Sequence, residues 1–200
     1  MSTEHTFVSP GPAGLGALAV ACFGFGAVFT GKVELGGLPL LAAWLVGGGI
    51  VQYTVAVMEL KDHNITGGNV FLFFAAFFMF GAALSVLAKY LMLAGIMGTV
   101  KPHPVVEGFC WMAGASFLTA VSPAYLKAPT PLFILVILLD IVLWMIVGLD
   151  LGKLDAALKP TVGYLLFVSG GIGIYMVAAV INNTVFGRQI LPTFGTIVKP

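Results

Sequence analysis

The sequence predicts an all-helical integral membrane protein with six transmembrane helices. Composition gives the first two indications, since 60% of the 200 residues are hydrophobic and only 8% are charged. The third is the length of the apolar runs: a helix rises about 1.5 Å per residue, so about 20 apolar residues cross a hydrocarbon core of roughly 30 Å. The predicted spans are Gly14–Thr30, Leu38–Leu60, Asn69–Leu87, Val105–Val121, Pro131–Leu149 and Thr161–Val185.

Short segments that carry most of the charges and turn-forming residues separate these runs, and none is long enough to hold a soluble domain. We therefore expect residues 10–192 to form one transmembrane domain, between an amino-terminal tail of residues 1–9 and a carboxy-terminal tail of residues 193–200. A run such as Leu132–Leu139, with the sequence LFILVILL, lacks the alternation of apolar and polar residues that membrane β-strands show.

Composition also excludes several classes of function. A formal net charge of +1 without a cluster of Lys and Arg argues against nucleic-acid binding. There is no zinc-protease motif, no phosphate-binding loop and no nucleophilic triad that could meet inside the bundle, so we predict no enzyme, no metal and no cofactor. The expected partners are membrane lipid, further copies of the chain and the solute that it conducts.

The first ten residues, MSTEHTFVSP, contain no Lys or Arg and no apolar stretch, which is unlike a cleaved secretory signal. Together with the short loops, this favours a multi-pass protein of a prokaryotic inner membrane. The positive-inside rule does not fix the orientation, because Lys and Arg are divided about equally between the two sides.

Few polar side chains lie within the apolar runs, and each needs a reason because burial in hydrocarbon is unfavourable. Gln52 could hydrogen-bond a neighbouring helix or line a pore. Glu59 could bond loop backbone at the helix end or carry protons. Asp140 lies near the centre of the fifth run with no Lys or Arg at that depth, so it could be a proton carrier or serve packing alone.

The first predicted helix follows a short motif made of Ser9, Pro10, Gly11 and Pro12. The two prolines cannot donate backbone hydrogen bonds, and Ser9 can cap the helix that follows. The free N–H groups and the positive end of the helix dipole would favour a carboxylate at this position. A plain helix start with Pro in its first turn explains the motif equally well.

Several motifs in order along the whole chain resemble the acetate uptake transporter family, which includes bacterial succinate–acetate permeases. The opening SPGPAGL is similar to that family's first-helix motif, and paired glycines precede Gln52 and Glu59 in the second helix, as they do in the family. The loop segment HNITGGN, Tyr175 in the last helix and the final FGRQILP complete the match.

The resemblance implies a ring-shaped homo-hexamer in which each protomer has its own pathway for acetate and related short carboxylates, with succinate as a further candidate, by passive or proton-coupled transport. It also implies cytoplasmic termini and an apolar constriction, which falls on Leu18, Phe74 and Leu138 of this chain. Leu18 lacks the usual aromatic ring and Phe74 lacks the usual hydroxyl, but apolar walls at a small radius can still exclude hydrated ions. We expect Gln52 and Tyr175 to supply polar lining.

Two other functions fit the same features. A hexameric channel for urea or short amides also suits an apolar gate without a fixed cation. A membrane sensor could bind carboxylates without transporting them.

Overall fold

A computed structural model describes residues 8–199 of the chain. It confirms an all-helical fold, and six of its helical segments are long and apolar enough to cross a membrane. The chain is thus a multi-pass membrane protein. Most of the predicted amino-terminal tail, residues 1–7, lies outside the described part, as does Pro200. The main helices are α1 (Gly11–Phe29), α2 (Leu38–Lys61), α3 (Ile65–Phe73), α4 (Ala82–Leu93), α5 (Val105–Val121), α6 (Thr130–Asp150) and α7 (Lys159–Val185).

The observed bounds differ from the predicted ones mainly in two spans. The first helix begins at Gly11, three residues before the predicted start, because the prolines of its first turn are already helical and need no N–H partner there. The third span was predicted as Asn69–Leu87 but runs over Ile65–Leu93. It begins early because the Asn64 side chain caps α3, accepting a hydrogen bond from the Gly67 N–H at 3.0 Å.

The third span is not a uniform α-helix. Between α3 and α4, the segment Phe74–Gly81 is π-helical, which no pattern in the sequence predicted. A π-helix makes i→i+5 hydrogen bonds, is rare, and often lies at functional sites. Here it begins at Phe74, one of the predicted constriction residues.

Helix α1 packs most extensively against α7 and also contacts α2. The closest approach is at Gly26 and Gly163, since a Cβ atom added to Gly163 would lie 2.8 Å from the Gly26 carbonyl oxygen. Close helix contact through small residues is the usual way in which membrane helices pack.

Six alternating spans place the start of α1 and the ends of α2, α5 and α7 at one face of the bundle, called here the terminal face. The residues after α7 fold back over this face. The Tyr175 hydroxyl donates to the Pro192 carbonyl at 2.6 Å, and Thr130 N–H donates to the Gly195 carbonyl at 2.7 Å. These bonds fix residues 192–199 against the loop that leads into α6.

Candidate functional site

Two cavities of about 420 Å³ each enter the bundle from its opposite faces. The first cavity opens at the terminal face and reaches inward between α1, α2, α3 and α6. The second cavity opens at the other face and is lined by α1, α2, α4, α5, α6 and α7. Among the described residues, none lines both cavities. A solute that crosses the protomer would meet them in turn.

The mouth of the first cavity brings together the opening motif and the end of α2. Ser9, Gly11, Pro12 and Glu59 all line it. The Gly11 N–H donates to the Ser9 hydroxyl oxygen at 3.3 Å, and that hydroxyl donates to Glu59 at 3.4 Å. The helix cap itself is Pro10 rather than the predicted Ser9, and it has no side-chain capping bond.

Glu59 is buried, with 6% of its surface exposed. Besides the Ser9 contact, it accepts a hydrogen bond from the Asn64 side chain at 2.5 Å. It also accepts the Asn64 backbone N–H at its carbonyl, at 2.9 Å. These are the contacts of a helix-end group that fixes the loop before α3, and they hold the carboxylate at the cavity wall. Its predicted proton-carrying role stays a prediction.

Gln52 lines the first cavity and is 1% exposed. Its Nε2 atom donates to the Gly14 carbonyl of α1 at 3.3 Å. A carbonyl can only accept, so this contact fixes which end of the amide faces α1. The Gln52 Oε1 atom is buried and has no hydrogen-bond partner among the described residues. An unpaired buried carbonyl of this kind is unfavourable by about 1–3 kcal/mol. A ligand that donates a hydrogen bond to Oε1 would remove this penalty.

The inner end of the first cavity is apolar. Leu18, Phe74 and Leu139 line it, and each is 4–6% exposed. Immediately beyond, Phe78 lies at the inner end of the second cavity, with its ring centroid 5.3 Å from that of Phe74. We call these four residues the central barrier.

The barrier is thin. Phe78 also packs on Phe25 and Trp111, with ring centroids 5.8 Å apart in each pair, and all three rings line the second cavity. Phe74 lines the first cavity and Phe78 the second, and their rings are in contact, so along the third span the two cavities are separated by these two side chains. A pathway that joins the two cavities would require these side chains to move.

Two predicted pathway residues lie elsewhere. Leu138 is half-buried and lines neither cavity in the described part of the chain, whereas its neighbour Leu139 lines the first. Successive residues of a helix point about 100° apart, so only one of the two can face the barrier. Tyr175 binds the carboxy-terminal segment through its hydroxyl. Their predicted roles as gate and polar lining stay predictions.

Asp140 is half-buried and lines neither cavity in the described part of the chain. It accepts hydrogen bonds from the Thr119 hydroxyl of α5 at 2.8 and 3.0 Å, and the Trp144 indole N–H donates to the same hydroxyl oxygen at 3.0 Å. Thr119 and Trp144 are exposed on the outer face of the protomer. Both predicted roles of Asp140, as a proton carrier and in packing, stay predictions.

The second cavity holds an ionic cluster that the sequence analysis did not assign. Lys89 of α4 forms an ion pair with Glu107 of α5, and the Ser85 hydroxyl donates to the same carboxylate. Asp150 and Lys159 line the cavity beside them. The only sequence signal was a carboxylate near the start of the fourth run and a lysine near the end of the third.

Comparisons with known proteins agree with this architecture. None of the curated proteins compared matches the chain significantly. Among solved structures, the bacterial acetate channel SatP superposes with a TM-score of 0.80, at 23% sequence identity, over 94% of this chain and 99% of that one. The sequence model of the GPR1/FUN34/yaaH family matches residues 1–193. The family resemblance predicted from the motifs is therefore confirmed, and the chain belongs to the GPR1/FUN34/yaaH family.

Proposed function

We propose that the protein is a membrane transporter for acetate and other short monocarboxylates. The observation that carries this is the pair of opposed cavities closed by one thin apolar barrier, in a six-span bundle with the fold of SatP. Polar groups lead into the barrier from each side, and the barrier itself is built from hydrocarbon and aromatic rings. A small solute with a methyl group and one carboxyl group fits both environments.

Two free energies indicate the charge state of the solute at the barrier: that of burying a carboxylate ion and that of protonating it. Taking an ionised carboxylate into a medium of low dielectric constant is unfavourable by about 20 kcal/mol in the idealised limit. Protonating a carboxylate with a glutamate-like pKa at pH 7 requires only about 4 kcal/mol. None of the four barrier residues is charged or polar, so we propose that the neutral acid crosses and that one proton moves with each carboxylate.

Gln52 supports the same conclusion. A protonated acid presents an O–H donor beside a carbonyl acceptor, which complements the unpaired Gln52 Oε1 and the second hydrogen of Nε2. A carboxylate ion has no hydrogen to donate and would face Oε1 with two negative oxygens. We propose that Gln52 holds the neutral acid just before it enters the barrier.

We further propose that the protein acts as a non-enzymatic homo-hexamer in the inner membrane, with cytoplasmic termini and a separate pathway in each protomer. The family resemblance supports this assembly. Large apolar side chains on the protomer surface are available to contact lipid or neighbouring copies; among them are Leu40, Trp44, Leu84 and Phe109, each more than 60% exposed. Succinate is a further candidate substrate, and it would need both of its carboxyl groups protonated to cross by this route.

The test is entry of [14C]acetate into liposomes that contain the purified protein, with and without an imposed pH gradient. We expect protein-dependent entry that an inward proton gradient accelerates and that unlabelled propionate or formate inhibits. Acceleration would be absent if the anion crossed passively. Entry no faster than into protein-free liposomes would exclude transport and leave the carboxylate sensor.

The unpaired Gln52 carbonyl also favours a second candidate, a channel for urea or short amides. A primary amide carries an N–H donor beside its carbonyl, so it can pair with Gln52 in the same way as a neutral acid. Competition separates the two functions. Acetamide and urea should leave acetate entry unchanged if the pathway is selective for acids, whereas rapid urea entry would favour the amide channel.

A further inference from the structure

The second cavity contains a carboxylate-binding site that the chain itself fills. Two donors, the Lys89 ammonium and the Ser85 hydroxyl, converge on the carboxylate of Glu107, one at each oxygen. The side chain of Lys89 is 38% exposed and that of Glu107 is 21% exposed. The cation is therefore within reach of a solute in the cavity, and the group that occupies it is a close chemical analogue of a short carboxylate.

The surroundings restrict what can bind there. Asp150 at the end of α6 lies close enough to Lys89, Glu107 and Lys159 for their charges to act on it, and Lys159 at the start of α7 lines the same cavity. The residues that α1 and α2 contribute to this cavity, such as Phe25, Phe29 and Leu41, are apolar. The cluster of two cations and two carboxylates is thus neutral, and one added anion would leave it with an uncompensated negative charge unless a proton enters as well.

We propose that Lys89 and Ser85 bind the carboxylate of the transported acid in exchange for Glu107, which takes up a proton as it leaves them. This inference rests on the proposed function and assigns the proton that the neutral acid requires. A proton from water forms an O–H bond on Glu107, and the released Lys89 binds the substrate anion. The O–H bond on Glu107 then breaks as one forms on the substrate, the neutral acid moves to the barrier, and Glu107 pairs with Lys89 again.

The exchange predicts opposite effects of one substitution on affinity and on rate. Glu107→Gln keeps the size of the side chain but cannot carry a negative charge or supply a proton. The glutamine binds Lys89 more weakly than the Glu107 carboxylate does and so competes less with acetate. We therefore expect the acetate concentration that half-saturates uptake at pH 7.5 to fall about fivefold, which corresponds to the free energy of a partly exposed ion pair. The maximal rate should fall roughly tenfold or more, because no positioned group delivers the proton.

The matched control is Glu34→Gln, which removes an exposed carboxylate between α1 and α2 at the same face of the bundle. It should leave both quantities unchanged. A second variant, Lys89→Met with Glu107→Met, removes the pair without leaving a lone charge and should raise the half-saturation concentration. It keeps the proposal testable if Glu107→Gln does not fold.

A spectroscopic measurement tests the proton directly. Infrared difference spectra of the wild-type protein, recorded with and without [13C]acetate, should show a new protonated carboxyl band of the protein. The band should be absent in Glu107→Gln and present in Glu34→Gln.

Wild-type uptake kinetics and pH dependence in the Glu107→Gln variant would overturn the exchange, and so would a band that persists in that variant. Failure of the proposed function looks different, because wild-type liposomes would then show no protein-dependent acetate entry at all.

Discussion

The two cavities have the same volume and end on the same barrier, yet their polar groups differ in kind. The first presents an amide, a hydroxyl and a helix start along its wall, with Glu59 held by neutral donors, and its one lysine among the described residues, Lys127, is exposed at the terminal face. The second presents the Lys89–Glu107 ion pair with Asp150 and Lys159 beside it. Neutral hydrogen-bonding groups select a solute by its donors and acceptors, whereas charged groups attract an anion and exchange its proton. We infer that the two faces handle different protonation states of one substrate.

Removal of the Gln52 amide should abolish the ability of the first cavity to hold a neutral acid. In Gln52→Leu, the site loses its hydrogen bonds to the acid, each worth about 0.5–1.5 kcal/mol, so we expect acetate uptake to fall about tenfold. The Lys89–Glu107 cluster should be unaffected, and with it the pH at which uptake is half-maximal. Liposome uptake as a function of pH measures both quantities.

Asn69→Leu is the control for that variant, because Asn69 carries an exposed amide on α3 whose side chain bonds only locally, to the Ile65 carbonyl at 2.8 Å. Equal loss of uptake in the two variants would contradict a specific role for Gln52.

A smaller effect is expected from the hydrogen bond that fixes the carboxy-terminal segment at the terminal face. Tyr175→Phe removes the hydrogen bond to the Pro192 carbonyl and should loosen residues 192–199 by about 1 kcal/mol, which corresponds to roughly fivefold faster amide exchange in that segment. Hydrogen-exchange mass spectrometry measures this. Acetate uptake should stay near the wild-type value, and Tyr164→Phe, at an exposed position of the same helix, should change neither. A loss of uptake in Tyr175→Phe without faster exchange would instead favour the predicted polar lining.

The smallest effect is expected outside both cavities. Asp140→Asn preserves an oxygen that can accept from Thr119 and removes a charge that faces the outer surface. We expect the rate of acetate uptake and its pH dependence to match the wild type. A shifted pH profile in this variant would place a proton carrier at Asp140 and contradict the assignment of that role to Glu107.

The sequence predicted the six spans because hydrocarbon thickness fixes their length, and α5 was predicted with the bounds it has. It could not predict the π-helical segment, because Phe74–Gly81 lies in a run that is apolar on every side and carries no periodicity. The same uniformity explains why the sequence did not identify which leucine of α6 lines the first cavity. In LFILVILL each position is equally apolar, so the choice between Leu138 and Leu139 depends on how α6 is rotated against its neighbours α5 and α7.

Some polar residues could be identified from the sequence, whereas their partners in other helices could not. Gln52 and Glu59 were found because each is isolated in an apolar run, and isolation is a local property of the sequence. The partnership of Lys89 with Glu107 joins two helices across a loop of residues 94–104 and becomes evident only once the helices are packed. The exposed Thr119–Trp144 pair around Asp140 is likewise a product of packing.

The most direct measurement compares two adjacent substitutions in α6. Leu139→Trp places an indole in the central barrier, whereas Leu138→Trp places the same group on a half-buried surface outside both cavities. We expect [14C]acetate entry into liposomes to fall to the protein-free rate with Leu139→Trp and to remain near the wild-type rate with Leu138→Trp. Block by Leu138→Trp together with free entry through Leu139→Trp would contradict a pathway that joins the two cavities at Leu18, Phe74, Phe78 and Leu139.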